Sequence, residues 1–142
     1  MKVSQVMSRG VISVGADESV SFAAQLLHRH NLGALPVCEE TGTLRGVVTD
    51  RDLVTRCLAL KLNPEKTTLR DVMSRWLVTA SPSDDVEKAA ELMAKGQVRR
   101  LPVVKDGELV GMVSLGDIAT AENQRPQAAM ALEHISENIR RL

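Results

Sequence analysis

Two segments of the chain place small and aliphatic residues at the spacing of an α-helix. Apolar residues occupy positions i, i+3, i+4 and i+7 in both segments: Val20, Ala23, Ala24 and Leu27 in the first, and Val86, Ala89, Ala90 and Met93 in the second. Each segment therefore predicts a helix with a single apolar stripe. Asp84 and Glu87 are spaced as a capping pair at the start of the second helix.

Short apolar runs flank each of these helices and predict strands. One strand precedes each helix and a hairpin follows it: residues 11–14, 35–37 and 44–48 in the first half, and residues 77–79, 101–104 and 109–113 in the second. The hairpin turns contain Thr41-Gly42 and Asp106-Gly107, the second of which is a strong hairpin signal. Another helix is predicted after each hairpin, at about residues 50–60 and 115–122.

The two halves are copies of each other. The string Val-Met-Ser-Arg occurs at residues 6–9 and again at residues 72–75, and the offset of 66 gives 11 identities over 36 aligned positions. After the hairpin turn an offset of 65 aligns Leu44, Gly46, Val48 and Asp52 with Leu109, Gly111, Val113 and Asp117. The sequence thus predicts two β-α-β-β-α repeats, at residues 1–62 and 68–122, with a seam at the Asn63-Pro64 break.

A single unit of about 60 residues has a marginal core, which favours two copies that bury a shared sheet face. The predicted fold class is therefore α/β (α+β), with the two repeats packed sheet to sheet. Residues 126–142 form a third segment, a C-terminal helix whose apolar stripe is Ala128, Leu132, Ile135, Ile139 and Leu142. This helix either packs on its own chain or contacts a partner subunit.

Composition narrows the classes of partner. Lysine plus arginine and aspartate plus glutamate each number 18, so the formal net charge is zero and the bulk electrostatic argument for DNA or an anionic membrane is removed. No apolar stretch approaches the ~20 residues of a membrane span, and residues 1–14 do not have the pattern of a signal peptide. Cys38 and Cys57 are too few for a disulfide framework and are predicted to be buried thiols of a cytoplasmic protein.

The end of each hairpin carries the chemistry. Residues 46–52 and 111–117 share a glycine, two apolar residues, a hydroxyl residue, two variable residues and an aspartate. Free backbone N–H groups where a strand becomes a helix favour an anion, and Asp52 or Asp117 can accept two hydrogen bonds from a ribose diol. Alternatively, Thr49 with Asp52 and Ser114 with Asp117 are ordinary helix N-cap pairs.

Tandem units with a Met-Ser start, an apolar-Pro-Val strand and this closing motif resemble CBS domains, the cystathionine-β-synthase type of regulatory repeat. The resemblance covers residues 3–122. The two repeats are also similar to the CBS pair inserted in IMP dehydrogenase, although no barrel sequence accompanies them here. This arrangement is typical of a stand-alone bacterial CBS-pair protein. It implies pseudo-twofold symmetry and two clefts that bind adenosine nucleotides or S-adenosylmethionine. By position, the resemblance assigns Ile12, Thr49 and Asp52 to one cleft, and Val78, Ser114 and Asp117 to the other.

Arg99-Arg100 distinguishes the two copies, because Gly33-Ala34 occupies the equivalent positions of the first copy. The resemblance to energy-sensing relatives implies that this pair reaches the phosphates of the nucleotide whose ribose is bound by Asp52. The cleft of Asp117 lacks an equivalent pair of arginines. Strand alternation predicts that only one of the two arginines points fully into the cleft; the alternative is a solvated surface pair.

These features predict a ligand-sensing module that binds AMP, ADP or ATP and acts on an unidentified protein target. No P-loop, nucleophile elbow or pair of catalytic carboxylates is present, so no catalytic residue is assigned. No metal site is assigned either, since His28 and His30 do not share a helix face. A homodimer is expected, with no covalent cofactor and no nucleic-acid or membrane partner. The alternatives are a dimerisation scaffold with vestigial clefts, in which Thr49 and Asp52 are only caps, and an S-adenosylmethionine sensor.

Overall fold

The compact units of the fold do not coincide with the two copies in the sequence. A computed structural model describes residues 1–75, 77–121 and 125–140, and within the last range the side chains of residues 126–136. The first unit is Ile12–Leu77, and the second unit combines Met1–Val11 with Val78–Leu142. Each sequence copy therefore begins in one unit and ends in the other.

Both units are mixed α/β and contain one small antiparallel sheet. The strands are β1 (Ala34–Cys38) and β2 (Leu44–Thr49) in the first unit, and β3 (Arg100–Lys105) and β4 (Glu108–Ser114) in the second. The helices are α1 (Val3–Val6), α2 (Val20–His30), α3 (Asp50–Leu53), α4 (Leu69–Val72), α5 (Val86–Gly96), α6 (Leu115–Thr120) and α7 (Arg125–Arg140). A π-helical segment, Val54–Leu58, continues α3. The two predicted hairpins are confirmed, and so is the mixed α/β class with one small antiparallel sheet in each unit.

The predicted first strand of each copy, at residues 11–14 and 77–79, is wrong. In place of the first there is a single parallel bridge between Val14 and Val37, and in place of the second a single parallel bridge one residue later, between Ala80 and Val103. For the parallel pairing to continue towards the N-terminus, the backbone N–H group of residue 36 or 102 would have to donate to the carbonyl two residues before Val14 or Ala80. Both of these donor positions are prolines. Proline has no N–H group, so the apolar-Pro-Val strand that defines the repeat also stops the third strand from forming.

The helices α2 and α5 end in similar ways but differ at their N-terminal caps. Ser19 Oγ accepts a hydrogen bond from Phe22 N at 3.0 Å at the start of α2. The predicted Asp84–Glu87 capping pair of α5 is wrong, because the N-cap residue is Asp85 and Asp84 instead accepts a hydrogen bond from Ser81 N at 2.8 Å. Asn31 and Gln97 end the two helices in the left-handed region, at φ 52° and 54°.

The helix α7 explains why the two apolar stripes are buried differently. Val86, Ala89, Ala90 and Met93 are all buried, but Ala24 of the first stripe is exposed, in contrast to the equivalent Ala90. Within the second unit α7 packs against α5 and α6, whereas the described part of the first unit has no helix equivalent to α7. Of the two alternatives for the C-terminal helix, packing on its own chain is therefore the one observed.

The predicted stripe of α7 is only partly correct. The buried side chains are Ala128, Ala131 and Ile135, while Leu132 is 40% exposed. Ala131 is buried in place of Leu132, because the position three residues after Ala128, rather than the one four residues after it, faces α5 and α6. The side chain of Ile139 and the whole of Leu142 lie outside the described residues, as does Glu122, the predicted last residue of the helix after β4.

The repeated Met-Ser string packs against the glycine of the neighbouring strand. Ser74 and Val47 exchange two backbone hydrogen bonds of 2.9 and 3.0 Å in the first unit, and Ser8 and Met112 exchange two of 2.8 and 3.0 Å in the second. A Cβ atom on Gly46 would lie 2.8 Å from Met73 Sδ and 2.8 Å from the Ser74 carbonyl oxygen. The absence of a side chain at Gly46, and likewise at Gly111, lets the Met-Ser turn reach the strand.

Both cysteines are buried and free, as the sequence predicts. Burial raises the pKa of the Cys38 thiol, an effect that a hydrogen bond with Ser13 partly offsets. Cys57 lies in the core of the first unit, next to α2 and β1 residues such as Leu27 and Leu35. None of the helices formed by the described residues combines the length and the apolar character needed to cross a membrane.

Candidate functional site

The hydroxyl residue and the aspartate of each closing motif form a capping box. In the first unit, Thr49 Oγ1 accepts a hydrogen bond from Asp52 N at 3.1 Å, and Asp52 Oδ2 accepts one from Thr49 N at 2.9 Å. In the second, Ser114 Oγ and Asp117 Oδ2 accept the equivalent bonds at 3.0 and 2.9 Å. The capping interpretation is therefore confirmed for both pairs.

Capping does not use up the carboxylate. A carboxylate has two oxygens with about four acceptor positions, and the cap uses one position of Oδ2. The cap also fixes the rotamer of the side chain, because a bond at each end holds the aspartate over the first turn of the helix. The side chain of Asp52 is 14% exposed. The geometry thus leaves a preoriented Oδ1 at each motif, and a capping role is compatible with a ligand role.

The expectation that free backbone N–H groups favour an anion is wrong for the first motif. Besides the two bonds of the cap, Asp50 N donates to the Gly33 carbonyl at 3.1 Å, and Arg51 N donates to Asp50 Oδ1 at 2.8 Å. All four amides from Thr49 to Asp52 therefore have acceptors within the protein. An anionic ligand at this motif needs cationic side chains instead.

The second motif differs at the two variable positions. Leu115 N donates to the Arg99 carbonyl at 2.8 Å, which matches the bond from Asp50 to Gly33. Leu115 occupies the position of Asp50, however, and its side chain has no acceptor for the N–H of Gly116. The bond between Asp50 and the Arg51 amide therefore has no counterpart in the second motif. The second motif has one carboxylate fewer, and fewer of its backbone N–H groups are bonded to side-chain acceptors.

Arg56 contacts the first aspartate and has no equivalent in the second copy. Its Nε lies 3.8 Å from Asp52 Oδ1, and its Nη1 donates to the carbonyls of Val72 and Met73 at 3.1 and 3.2 Å. The offset of 65 aligns Arg56 with Ala121. Arg56 is not among the predicted site residues, although the i,i+4 spacing of an aspartate and an arginine is a signal for this contact.

The structure brings Arg99 and Arg100 together with the hydroxyl of their own motif. A cavity of about 570 Å³ in the second unit is lined by Arg99, Arg100, Ser114, Leu115, Gly116 and Ala119, with Ala128, Ala129 and Leu132 of α7. Both arginines are exposed, and both line this cavity because only Arg100 belongs to β3, so strand alternation does not separate them. Their assignment to the ligand of Asp52 stays a prediction.

Ile12 and Val78, assigned by position to the adenine of the two ligands, are half-buried. Ile12 packs against the core of the first unit and Val78 against the core of the second. Val78 also contacts Gly96, where an added Cβ would lie 3.1 Å from its Cγ2. Ile12 is the first residue of the first unit, and Val78 is the first residue after the chain re-enters the second. The structure thus gives both a packing role, and their ligand contacts stay predictions.

No group of three or more histidine, cysteine, aspartate and glutamate side chains within residues 1–75, 77–121 and 126–136 is arranged to hold a metal ion. His28 and His30 both lie on the last turn of α2 and are exposed. The closing motifs and the arginines near them offer hydrogen-bond acceptors and donors, which recognise hydroxyl groups and anions.

Several known proteins are similar to this chain. The CBS domain-containing protein YhcV of Bacillus subtilis (strain 168) is 40% identical over 134 residues, which cover 94% of either chain. Inosine-5'-monophosphate dehydrogenase of Methanocaldococcus jannaschii is 34% identical over 130 residues, covering 90% of this chain and 25% of that enzyme. The predicted similarity to IMP dehydrogenase is thereby confirmed.

Two solved structures share the fold. The crystal structure of Hypoxic Response Protein I with two coordinated zinc ions has a TM-score of 0.78 and 34% identity, over 84% of this chain and 97% of the other. The CBS domain pair of protein MJ0100, in complex with 5'-methylthioadenosine and S-adenosyl-L-methionine, has a TM-score of 0.75 and 32% identity, over 84% and 93%. The family model of the CBS domain matches residues 3–59 and 69–123. The chain therefore belongs to the CBS domain family and carries two CBS domains in tandem.

Proposed function

We propose that this protein senses an adenosine nucleotide of the AMP, ADP or ATP class and regulates a protein target without catalysing a reaction. As a CBS pair it is a regulatory ligand-binding module, and the related pair from MJ0100 binds two adenosyl compounds. The observation that carries the proposal is the carboxylate of Asp52, which the cap orients through Oδ2 while Oδ1 stays available to accept from a ribose diol.

The arginine pair favours a nucleotide over S-adenosylmethionine. Arg99 and Arg100 are exposed donors, and guanidinium groups form their strongest hydrogen bonds with phosphate and carboxylate oxygens. S-adenosylmethionine carries a positive sulfonium close to its ribose, whereas AMP carries a phosphate at the equivalent carbon. A nucleotide therefore matches the charge of these side chains better, although S-adenosylmethionine remains the alternative ligand.

A thermal-unfolding screen tests the proposal. We expect AMP, ADP or ATP to raise the melting temperature, because a ligand at 100 times its dissociation constant adds about 2.7 kcal/mol to the free energy of unfolding. S-adenosylmethionine and 5'-methylthioadenosine should give smaller shifts, and GMP serves as the matched control for the base. If none of the adenosine compounds shifts the melting temperature at millimolar concentration, the proposed function is wrong.

The phosphate contact is tested by replacing both arginines. We expect Arg99→Ala with Arg100→Ala to weaken AMP binding by about a hundredfold, since each charge-assisted hydrogen bond contributes about 1.5–3 kcal/mol when its partner is desolvated. Adenosine, which has no phosphate, should bind both proteins equally in calorimetry. Arg29→Ala with Lys105→Ala removes the same charge from exposed positions and should leave AMP affinity unchanged. Equal AMP affinity in both double variants would refute the assignment.

The alternative is a scaffold that acts through dimerisation alone. It is favoured by apolar side chains on the first unit: Phe22 of α2 and Val54 and Leu58 of the π-helical segment are 41%, 54% and 55% exposed. Contiguous patches of exposed apolar side chains mark interaction surfaces, and we propose that these three side chains contribute to a homodimer. Under the scaffold hypothesis the arginine double variant keeps the mass of the dimer and no adenosine compound binds.

The net charge supports a protein partner, and the free cysteines support a cytoplasmic location. The formal net charge of zero gives no support for binding to nucleic acid or to a membrane surface, so we propose a protein target. The two free, buried cysteines are typical of a reducing compartment, which supports a location in the cytoplasm. No covalent cofactor is part of the proposal.

A further inference from the structure

Arg56 joins two parts of the first unit that are distant along the chain. Its Nε lies 3.8 Å from Asp52 Oδ1, on the side of the carboxylate that the cap does not use. Its Nη1 donates to the carbonyls of Val72 and Met73, which are the last residue of α4 and its C-cap. A cationic side chain at a helix C-terminus satisfies carbonyls that have no partner within the helix.

The segment that Arg56 holds is the one that leaves the first unit. The chain passes from the first unit into the second between Leu77 and Val78. Just before that point Ser74 exchanges two backbone hydrogen bonds with Val47 of β2, two residues before Thr49. Arg56 therefore connects the candidate ribose acceptor with the start of the connection to the second unit.

The second copy lacks this connection. Arg9 and Arg75 make equivalent bonds to the carbonyls of Ser4 and Arg70, so those contacts occur in both units. The contact from Arg56 is additional and specific to the first unit, because Ala121 stands at the equivalent position. A purely structural need of the CBS fold would apply to both units alike.

We infer that Arg56 is a positioning residue, which orients Asp52 Oδ1 for the ligand and couples occupation of Asp52 to residues 72–75. Oδ1 has two acceptor positions, so a ribose hydroxyl donates to it while Arg56 Nε keeps its contact with the same oxygen. The bound ligand then immobilises the carboxylate together with the guanidinium, which holds the carbonyls of Val72 and Met73 more firmly. The ligand part of this inference rests on the proposed function; the contact with residues 72–75 does not.

A double-mutant cycle tests the positioning role. We expect Arg56→Gln to weaken AMP binding about tenfold in calorimetry, by loss of one charged contact to Asp52, and Arg56→Lys to recover part of the loss. Arg51→Gln, at an exposed arginine of the same helix, is the control and should leave the affinity unchanged. In an Asp52→Asn background Arg56→Gln should have no further effect. An equal effect in both backgrounds, or none in either, overturns the inference.

Amide hydrogen exchange tests the coupling. AMP should slow exchange of Met73 and Ser74 in the wild type but not in Arg56→Gln, and should leave Met7 and Ser8 unaffected in both. If the wild type binds no adenosine compound, the proposed function is wrong. The contact of Arg56 with residues 72–75 is then tested by amide exchange in the ligand-free proteins. Exchange of residues 73 and 74 must then be faster in Arg56→Gln than in the wild type and in Arg51→Gln, and equal rates in the three proteins overturn the inference.

Discussion

Replacing Asp52 by asparagine should weaken AMP binding by about a hundredfold, measured by calorimetry. Asparagine keeps the shape of the side chain and one carbonyl oxygen, which still accepts from Thr49 N and preserves the cap. The group left on the ligand side is then an amide NH₂, which cannot accept from the ribose diol. The variant thus loses two charge-assisted hydrogen bonds of about 1.5–3 kcal/mol each, partly offset by new bonds to the NH₂ group.

Asp117→Asn is the matched control, because Asp117 has the same capping box in the second unit. It changes the same atoms, but we expect AMP affinity to fall less than threefold, since the arginine pair is assigned to the ligand of Asp52. The 2'-deoxy and 3'-deoxy forms of AMP provide a second control: both should bind more weakly than AMP to the wild type and equally to Asp52→Asn. Equal losses in the two aspartate variants would contradict the predicted asymmetry of the sites.

The repeat, the hairpins and the two closing motifs were predictable from the sequence because each depends on local pattern. Leu35 pairs with Val48 and Leu101 with Val113, as the alternation of apolar residues around the turns requires. The capping boxes were predictable for the same reason, since a hydroxyl residue and an acid three positions later satisfy the first amides of any helix. The alternative kept open in the sequence analysis proved to be the observed geometry.

The short bridges at Val14 and Ala80 were predictable in principle. Pro36 and Pro102 were identified as part of the repeated strand, and proline cannot donate to a neighbouring strand. Apolar character alone predicts strands at residues 11–14 and 77–79, but it takes no account of the N–H groups that would pair with them. Counting backbone donors shows that a parallel third strand cannot extend on the N-terminal side of the observed bridge.

Other features depend on long-range packing that no local pattern encodes. The apolar side chains within residues 1–11 are compatible with the core of either unit, and only the structure assigns this segment to the second unit. Ala24 and Ala90 have equivalent sequence contexts, yet Ala24 is exposed and Ala90 is 4% exposed. The difference comes from α7, which lies more than 30 residues further along the chain than Ala90. The repeat therefore predicts the core of each unit but not the surfaces that the C-terminal helix covers.

The candidate site shows the same division. Thr49, Asp52, Ser114 and Asp117 were identified by their spacing, and the structure pairs them as that spacing requires. The use of the Arg51 amide by Asp50, and the contact of Arg56 with Val72 and Met73, depend on how side chains turn in three dimensions. These contacts change the expected chemistry, because they leave the first motif with arginine side chains rather than backbone amides as donors.

Gly46→Ala and Gly111→Ala should each lower the free energy of unfolding by about 3 kcal/mol, the range for overpacking against rigid backbone. The added Cβ on Gly111 would lie 2.7 Å from Met7 Sδ and 2.8 Å from the Ser8 carbonyl oxygen. The methionine can move, but Ser8 is fixed by its two backbone bonds to Met112. Relief of the clash must therefore break the docking of the Met-Ser turn, and denaturant titration followed by circular dichroism measures the loss.

Gly15→Ala is the control for this pair of variants, because the nearest atom to its added Cβ, Glu18 Cγ, is 3.8 Å away in ordinary van der Waals contact. Its free energy of unfolding should stay within about 0.5 kcal/mol of the wild type. The Met-Ser turn itself can be tested in a second background. Met73 is itself buried in the core, so the reference is Met73→Ala. Gly46→Ala should cost about the same 3 kcal/mol in that background as in the wild type, since the Ser74 carbonyl still meets the new Cβ at 2.8 Å. No cost in the Met73→Ala background would show that the methionine, rather than the backbone of the repeated string, requires the glycine.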